Sequence, residues 1–138
     1  MSNLPEKSAA DLVEFDLVRE MADAEQKKPW PSGRYTQTLL KRPDMRILLI
    51  SLEKGAALKE HHADGAISVQ VLKGSIRFAA QGDSRTMKTG SVVSLGAAIK
   101  HAVEALEDSA FLLTISWPEA SRLEAMPHRG YEKQEKNP

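Results

Sequence analysis

From Arg34 onward the chain is cut into short apolar or alternating runs, each closed by a turn signal only a few residues long. Tyr35-Thr36-Gln37-Thr38-Leu39-Leu40 reads as a strand that ends at Lys41-Arg42-Pro43-Asp44. Met45 to Leu52 is apolar on both faces, so this second strand is expected to be covered on both sides. Glu53-Lys54-Gly55 closes it. Ile67 to Leu72 stops at Lys73-Gly74, and Ser75 to Ala80 pairs with Ser84 to Met87 through Gln81-Gly82-Asp83, a hairpin signal. Lys88-Thr89-Gly90 leads into Ser91 to Leu95. His101 to Ala105 follows, and Glu107-Asp108-Ser109 turns into a last apolar run, Ala110 to Trp117. Eight or so short strands at this spacing predict an all-β sandwich or barrel.

The first 31 residues follow another pattern. Ser8-Ala9-Ala10-Asp11 resembles a capping arrangement, a hydroxyl followed three residues later by a carboxylate. Leu12, Val13, Phe15, Leu17, Val18 and Met21 supply an apolar stripe for a helix from about Ala9 to Glu25, although Phe15 to Val18 also fits an extended segment. Pro29-Trp30-Pro31-Ser32-Gly33 ends this arm, because two prolines and a glycine in five residues cannot continue a helix. The expected organisation is an arm over 1–31, a β domain over 32–117, and a short helix (118–126) with a polar tail over 118–138.

Composition narrows the function classes. Nineteen Lys and Arg balance nineteen Asp and Glu, so no global basic field draws the chain to nucleic acid or an anionic membrane. Without cysteine there is no disulfide, no thiolate ligand and no cysteine nucleophile, which fits a reducing compartment. The acidic first residues do not read as a signal peptide, and the longest strongly apolar run falls far short of a bilayer span. A soluble, cytoplasmic single domain is expected. No nucleophile motif, phosphate loop or nucleotide fingerprint is visible.

The chemistry-bearing stretch is Gly55 to Gly74. It holds His61 and His62 side by side, two of the four histidines, and turns into the β run after Gly65. A third histidine, His101, follows the Gly-flanked run Gly90 to Gly96, while His128 lies in the polar tail. Gly55, His61 and Gly74 stand at the spacing of the first cupin motif: Gly, five residues, His-any-His, three or four residues, Glu, six residues, Gly. Gly90 and His101 match the second: Gly, five residues, Pro-any-Gly, two residues, His. From about Ser32 to Trp117 the chain resembles a small single-domain cupin.

That resemblance implies a double-stranded β-helix, or jelly roll, with a metal or small-molecule site inside the barrel. Metal-binding cupins use three histidines and a glutamate. Here His61 and His101 keep two of those positions, but Ala63 and Ile67 occupy the others, and Gly96 and Ala98 replace the proline and glycine of the second motif. Two imidazoles leave a divalent metal largely hydrated, so no tightly held cofactor is expected, only a weak zinc, nickel, iron or manganese. If His61 points inward on a regular strand, His62 points outward, and Ala63, Ile67, Val69 and Val71 share the face of His61. His62 becomes a third candidate ligand only if the strand bulges. Otherwise it is an edge residue beside Asp64. Trp30, Trp117 and Phe111 read as packing residues.

Three functions fit these residues. The first is a barrel that binds a small molecule in an apolar cavity around a degenerate metal site. The second is an oxygenase or isomerase, or an enzyme using His61 and His101 as acid and base. The third is a structural dimer module. A homodimer is expected in any case, because open sheet edges and the apolar N-terminal stripe both need cover.

Overall fold

The computed structural model describes residues 12–117. The capping arrangement at Ser8, the helix expected after Pro118 and His128 lie outside the described residues. Nine strands follow one helix. They are β1 (Arg34–Arg42), β2 (Met45–Leu52), β3 (Ala57–His61), β4 (Ala66–Lys73), β5 (Ser75–Ala80), β6 (Asp83–Lys88), β7 (Val92–Leu95), β8 (His101–Ala105) and β9 (Ser109–Ser116). They form two antiparallel sheets, one in the order β1-β2-β9-β4-β7 and the other β3-β8-β5-β6. The two sheets face each other as a jelly roll, with the helix outside.

Alternation along the strands builds the interior. Ile50 and Leu52 of β2, Ile67, Val69 and Val71 of β4, Ile76 and Phe78 of β5, Met87 of β6, Val103 and Ala105 of β8 and Phe111 of β9 form one buried cluster between the sheets. Phe111, Val69 and Val71 are each 1% exposed, so the centre is solid packing. Ile67, Val69 and Val71, expected to line a cavity, belong to this packed cluster, and Ala63 sits against it half-buried.

The other face of β2 explains why its sequence is apolar throughout. Leu49, Leu39 and Ala110 form a second cluster on the outside of the five-stranded sheet, packed with Phe15, Leu17, Met21, Ile47 and Leu112. The helix α1 (Leu17–Glu25) supplies that cover. It starts later than the stripe suggests. Asp16 is the N-cap, its carboxylate accepting from the Arg19 backbone N–H at 3.2 Å, which satisfies one of the orphan donors of the first turn. Residues 12–16 are not helical. Trp30 pins the other end: its indole N–H donates to the Ala24 carbonyl at 2.9 Å, and its ring stacks on Tyr35. Phe15, Leu17 and Met21 of the arm's stripe therefore pack against its own barrel, while Leu12 and Val18 stay exposed.

Two glycines are fixed by crowding. A Cβ on Gly65 would collide with the Ser116 carbonyl and crowd the Trp117 ring. At Gly74, φ is +75° and a Cβ would collide with the Asp108 carbonyl and the Ser109 hydroxyl. Both hold the ends of β4 close to β9. Among the described residues no helix is long and apolar enough to cross a membrane.

Candidate ligand site at the barrel mouth

β8 begins at His101 and β3 ends at His61, and the two residues are register partners in the antiparallel pair. Between Leu58 and His61 the register shifts: Leu58 lies opposite Val103, and His61, three residues on, lies opposite His101, two residues back. One extra residue in β3 makes a bulge. Without it, Glu60 rather than His61 would share the inward face of Leu58, so the alternation of a regular strand stops short of the site. His62 lies just past the strand, half-buried. The loop before β8 holds this segment in place, the Ala98 N–H donating to the Ala63 carbonyl at 3.0 Å.

The imidazoles of His61 and His101 lie 4.3 Å apart between centroids, tilted by 60°. Each ring turns back on its own strand. His61 Nδ1 lies 2.6 Å from the Lys59 carbonyl, and His101 Nδ1 lies 3.0 Å from the Ile99 carbonyl. A carbonyl only accepts, so both Nδ1 atoms carry a proton, and a neutral ring held this way keeps its lone pair on Nε2. His101 is 4% exposed, whereas His61 stands at the solvent side. Burial is the main force holding the His101 pKa below its ordinary 6.5; the Ile99 carbonyl opposes it, and His61 and His62 add to it. His101 is thus neutral at pH 7.

Phe78 of β5 stacks on the other side of His101, centroids 5.6 Å apart and planes within 18°. Phe78 also floors a cleft of about 430 Å³, walled by Ala80, Gln81, Asp83 and Arg85 on one sheet and Val93, Ser94 and Leu95 on the other. The expected neighbours Ile67, Val69 and Val71 lie deeper. Phe78, Asp83 and Arg85 were not evident as site residues in the sequence. The signal for the last two was their alternation with Met87: on β6 the inward positions read Asp83, Arg85, Met87, and Met87 is buried in the core.

The donors were tested against the metal that the motif resemblance implies. The remaining two motif positions carry a methyl group and a core isoleucine, and among the described residues no group of three or more His, Cys, Asp or Glu side chains is placed to hold a metal ion. Two neutral imidazoles do not fit a tightly held divalent cation.

No protein-family model matches the chain, and no curated protein matches it. Solved structures do. A conserved protein of unknown function from Streptococcus pyogenes is 29% identical, with a TM-score of 0.61 over 64% of this chain and 78% of that one. A cupin 2 conserved barrel domain protein from Leptotrichia buccalis is also 29% identical, with a TM-score of 0.62 over 68% of this chain. The domain has the fold of a small cupin barrel. It spans 46% of the Leptotrichia protein, so it corresponds to about half of that longer chain. The same cupin shape recurs, at 21% identity and a TM-score of 0.56, in the Cupin_2 domain of an XRE family transcriptional regulator from Enterobacter cloacae, matching 63% of this chain and 99% of that domain.

In this barrel the second motif departs from the cupin pattern at Ala98, where glycine is usual, and the backbone there is left-handed, with φ of +70°, without a glycine.

Proposed function

We propose that this cupin binds a small organic molecule at the barrel mouth without a tightly held metal. One observation carries the reading: the His101 ring, paired with His61 and with Nδ1 on the Ile99 carbonyl, stacks on Phe78, and Phe78 floors a cleft of about 430 Å³. That is a concave, half-apolar site with a few oriented polar groups, the usual make-up of a ligand pocket. The test is an NMR screen of the full chain against small aromatic and carboxylate compounds, recorded on the histidine ring and Phe78 signals. Ligands are expected to move His61, His101 and Phe78 together, and His101→Ala is expected to abolish the effect. A screen whose ligands leave both imidazoles unmoved removes the reading.

A second reading has its own support. A neutral, buried imidazole 4.3 Å from a solvent-side one is suited to pass a proton to or from a bound molecule, which keeps acid–base catalysis, such as an isomerisation, in view. Incubating each ligand with the protein and following its NMR spectrum separates the two: turnover makes the barrel an enzyme, and an unchanged ligand leaves it a binding module.

A further inference from the structure

The cleft carries a charge that the imidazole pair does not explain. Arg85 and Asp83 stand on the face of β6 that carries the buried Met87, and both line the cleft at its open, solvent side. Asp83 takes the side edge of the guanidinium: its Oδ2 accepts from Arg85 Nε at 3.1 Å and from Nη2 at 2.9 Å. This fixes the fork and leaves its outer edge, Nη1 with the second Nη2 proton, without a protein partner among the described residues. That edge has the geometry that takes a carboxylate in two parallel hydrogen bonds.

The sheet register sets the reach. His101 lies level with Ala80 on β5, and Ala80 lies level with Asp83 on β6. Arg85 lies level with Phe78. His101 and Arg85 are therefore two strands and two residues apart, about 12 Å between backbones from ordinary strand spacing and rise. Phe78 links them: its ring stacks on His101, and it lines the cleft together with Ala80 and Arg85.

Resting on the small-molecule reading above, we infer that the ligand is a small aromatic or planar acid, its carboxylate on the outer edge of Arg85, its ring over Phe78, and a hydroxyl or N–H at the far end donating to a histidine Nε2. The two ends demand opposite chemistry. Arg85 only donates, so it selects an acceptor. The Nε2 atoms of neutral imidazoles only accept, so they select a donor. A dicarboxylate fails at the histidine end, and a neutral alcohol fails at Arg85.

The experiment is a calorimetric and NMR titration of the full chain with three matched probes: 4-hydroxyphenylacetate, phenylacetate and 4-hydroxyphenethyl alcohol. The variants are Arg85→Met and Arg85→Lys. Arg85 is a well-exposed side chain, and circular dichroism checks that each variant folds. The hydroxy acid is expected to bind tightest. Removing its carboxylate or its hydroxyl is expected to weaken binding about tenfold, the usual scale for one charged hydrogen-bonded contact. In Arg85→Met the preference for acid over alcohol disappears while the alcohol binds as before, and Arg85→Lys recovers only part of it. An unchanged acid preference in Arg85→Met overturns the assignment of Arg85 and leaves the barrel-mouth site standing. Binding of none of the three probes at millimolar concentration overturns the assignment and counts against the site as well.

Discussion

His61 and His101 meet as cross-strand partners only because β3 carries one extra residue between Leu58 and His61. The bulge turns a side chain that strict alternation sends outward toward its neighbour on β8. The result is an imidazole pair with one buried and one solvent-side member, each fixed in tautomer by a carbonyl two residues back along its own strand.

The pair makes stability depend on pH. His101 titrates below its ordinary 6.5 in the folded protein, chiefly because burial disfavours the imidazolium, with His61 and His62 adding to the shift. The unfolded chain therefore binds this proton more readily. Stability rises with pH wherever the unfolded state holds more protons, so the contribution of His101 is complete above about pH 6.5 and is lost as pH falls through the folded pKa. Urea midpoints are expected to fall from pH 8 to pH 5 more steeply in the natural protein than in His101→Phe. Parallel curves for the two proteins contradict this.

Zinc or nickel titration is expected to give weak or undetectable binding, since two imidazoles are a poor donor set. The double change Ala63→His and Ile67→Glu restores the family's four donors at the cost of a carboxylate at a position that is 4% exposed. That variant is expected to melt lower than the natural protein without metal and to regain stability with zinc, because a metal that binds only the folded state stabilises it. A natural protein that binds one zinc per chain tightly, and loses it in His62→Ala, makes His62 a ligand at the bulge and gives the catalytic reading first place.

Ala98 adopts φ of +70° where the family's motif has glycine. A left-handed conformation costs a residue with a Cβ about 1–2 kcal/mol, and glycine returns part of that as unfolded-state entropy. Ala98→Gly is expected to stabilise the fold by about 0.5–1 kcal/mol in urea denaturation. A loss of stability shows that the loop before His101 is held by something other than its turn geometry.

We expect a homodimer through the four-stranded sheet rather than the arm, where Phe15, Leu17 and Met21 already pack on the barrel. Among the described residues no helix covers the outer face of the four-stranded sheet. Ala57, Ala79 and Ala102 surround a shallow hollow of about 230 Å³ there, beside the Arg77–Glu104 ion pair. A second copy turned by a two-fold axis sets small residues against small residues and each charge near its opposite. Light scattering is expected to give twice the 15.2 kDa chain mass, and Ala102→Arg to halve it. A 15.2 kDa particle at all micromolar concentrations ends the proposal.

The fold was legible where turn chemistry and burial agree. Met45 to Leu52, Ser75 to Ala80 and His101 to Ala105 are strands with those bounds, because each is apolar on a buried face and stopped by a turn. The helix start was less so: the stripe of Leu12, Val13 and Phe15 continues the helical pattern backward, but Asp16 caps the first turn and ends it there. β3 carries little signal, since Ala57-Leu58-Lys59-Glu60-His61 is mostly exposed and bulged, and a bulge leaves no mark in composition. The cleft was hidden for another reason. Asp83 and Arg85 look like a solvated hairpin until Met87, two residues on, shows which face they share.

The place of β9 in the five-stranded sheet bears on how the chain is made. The last strand lies between β2 and β4, pairing Leu52 with Ser109 on one side and Ala66 with Ser116 on the other. During synthesis β2 and β4 leave the ribosome as two apolar strands whose shared neighbour does not yet exist. The sheet cannot be zipped until residue 116 has cleared the exit tunnel. The nascent barrel therefore waits, with two strand edges open, for β9 to be delivered, and open apolar strand edges of this kind are where a growing chain is most exposed to pairing with others.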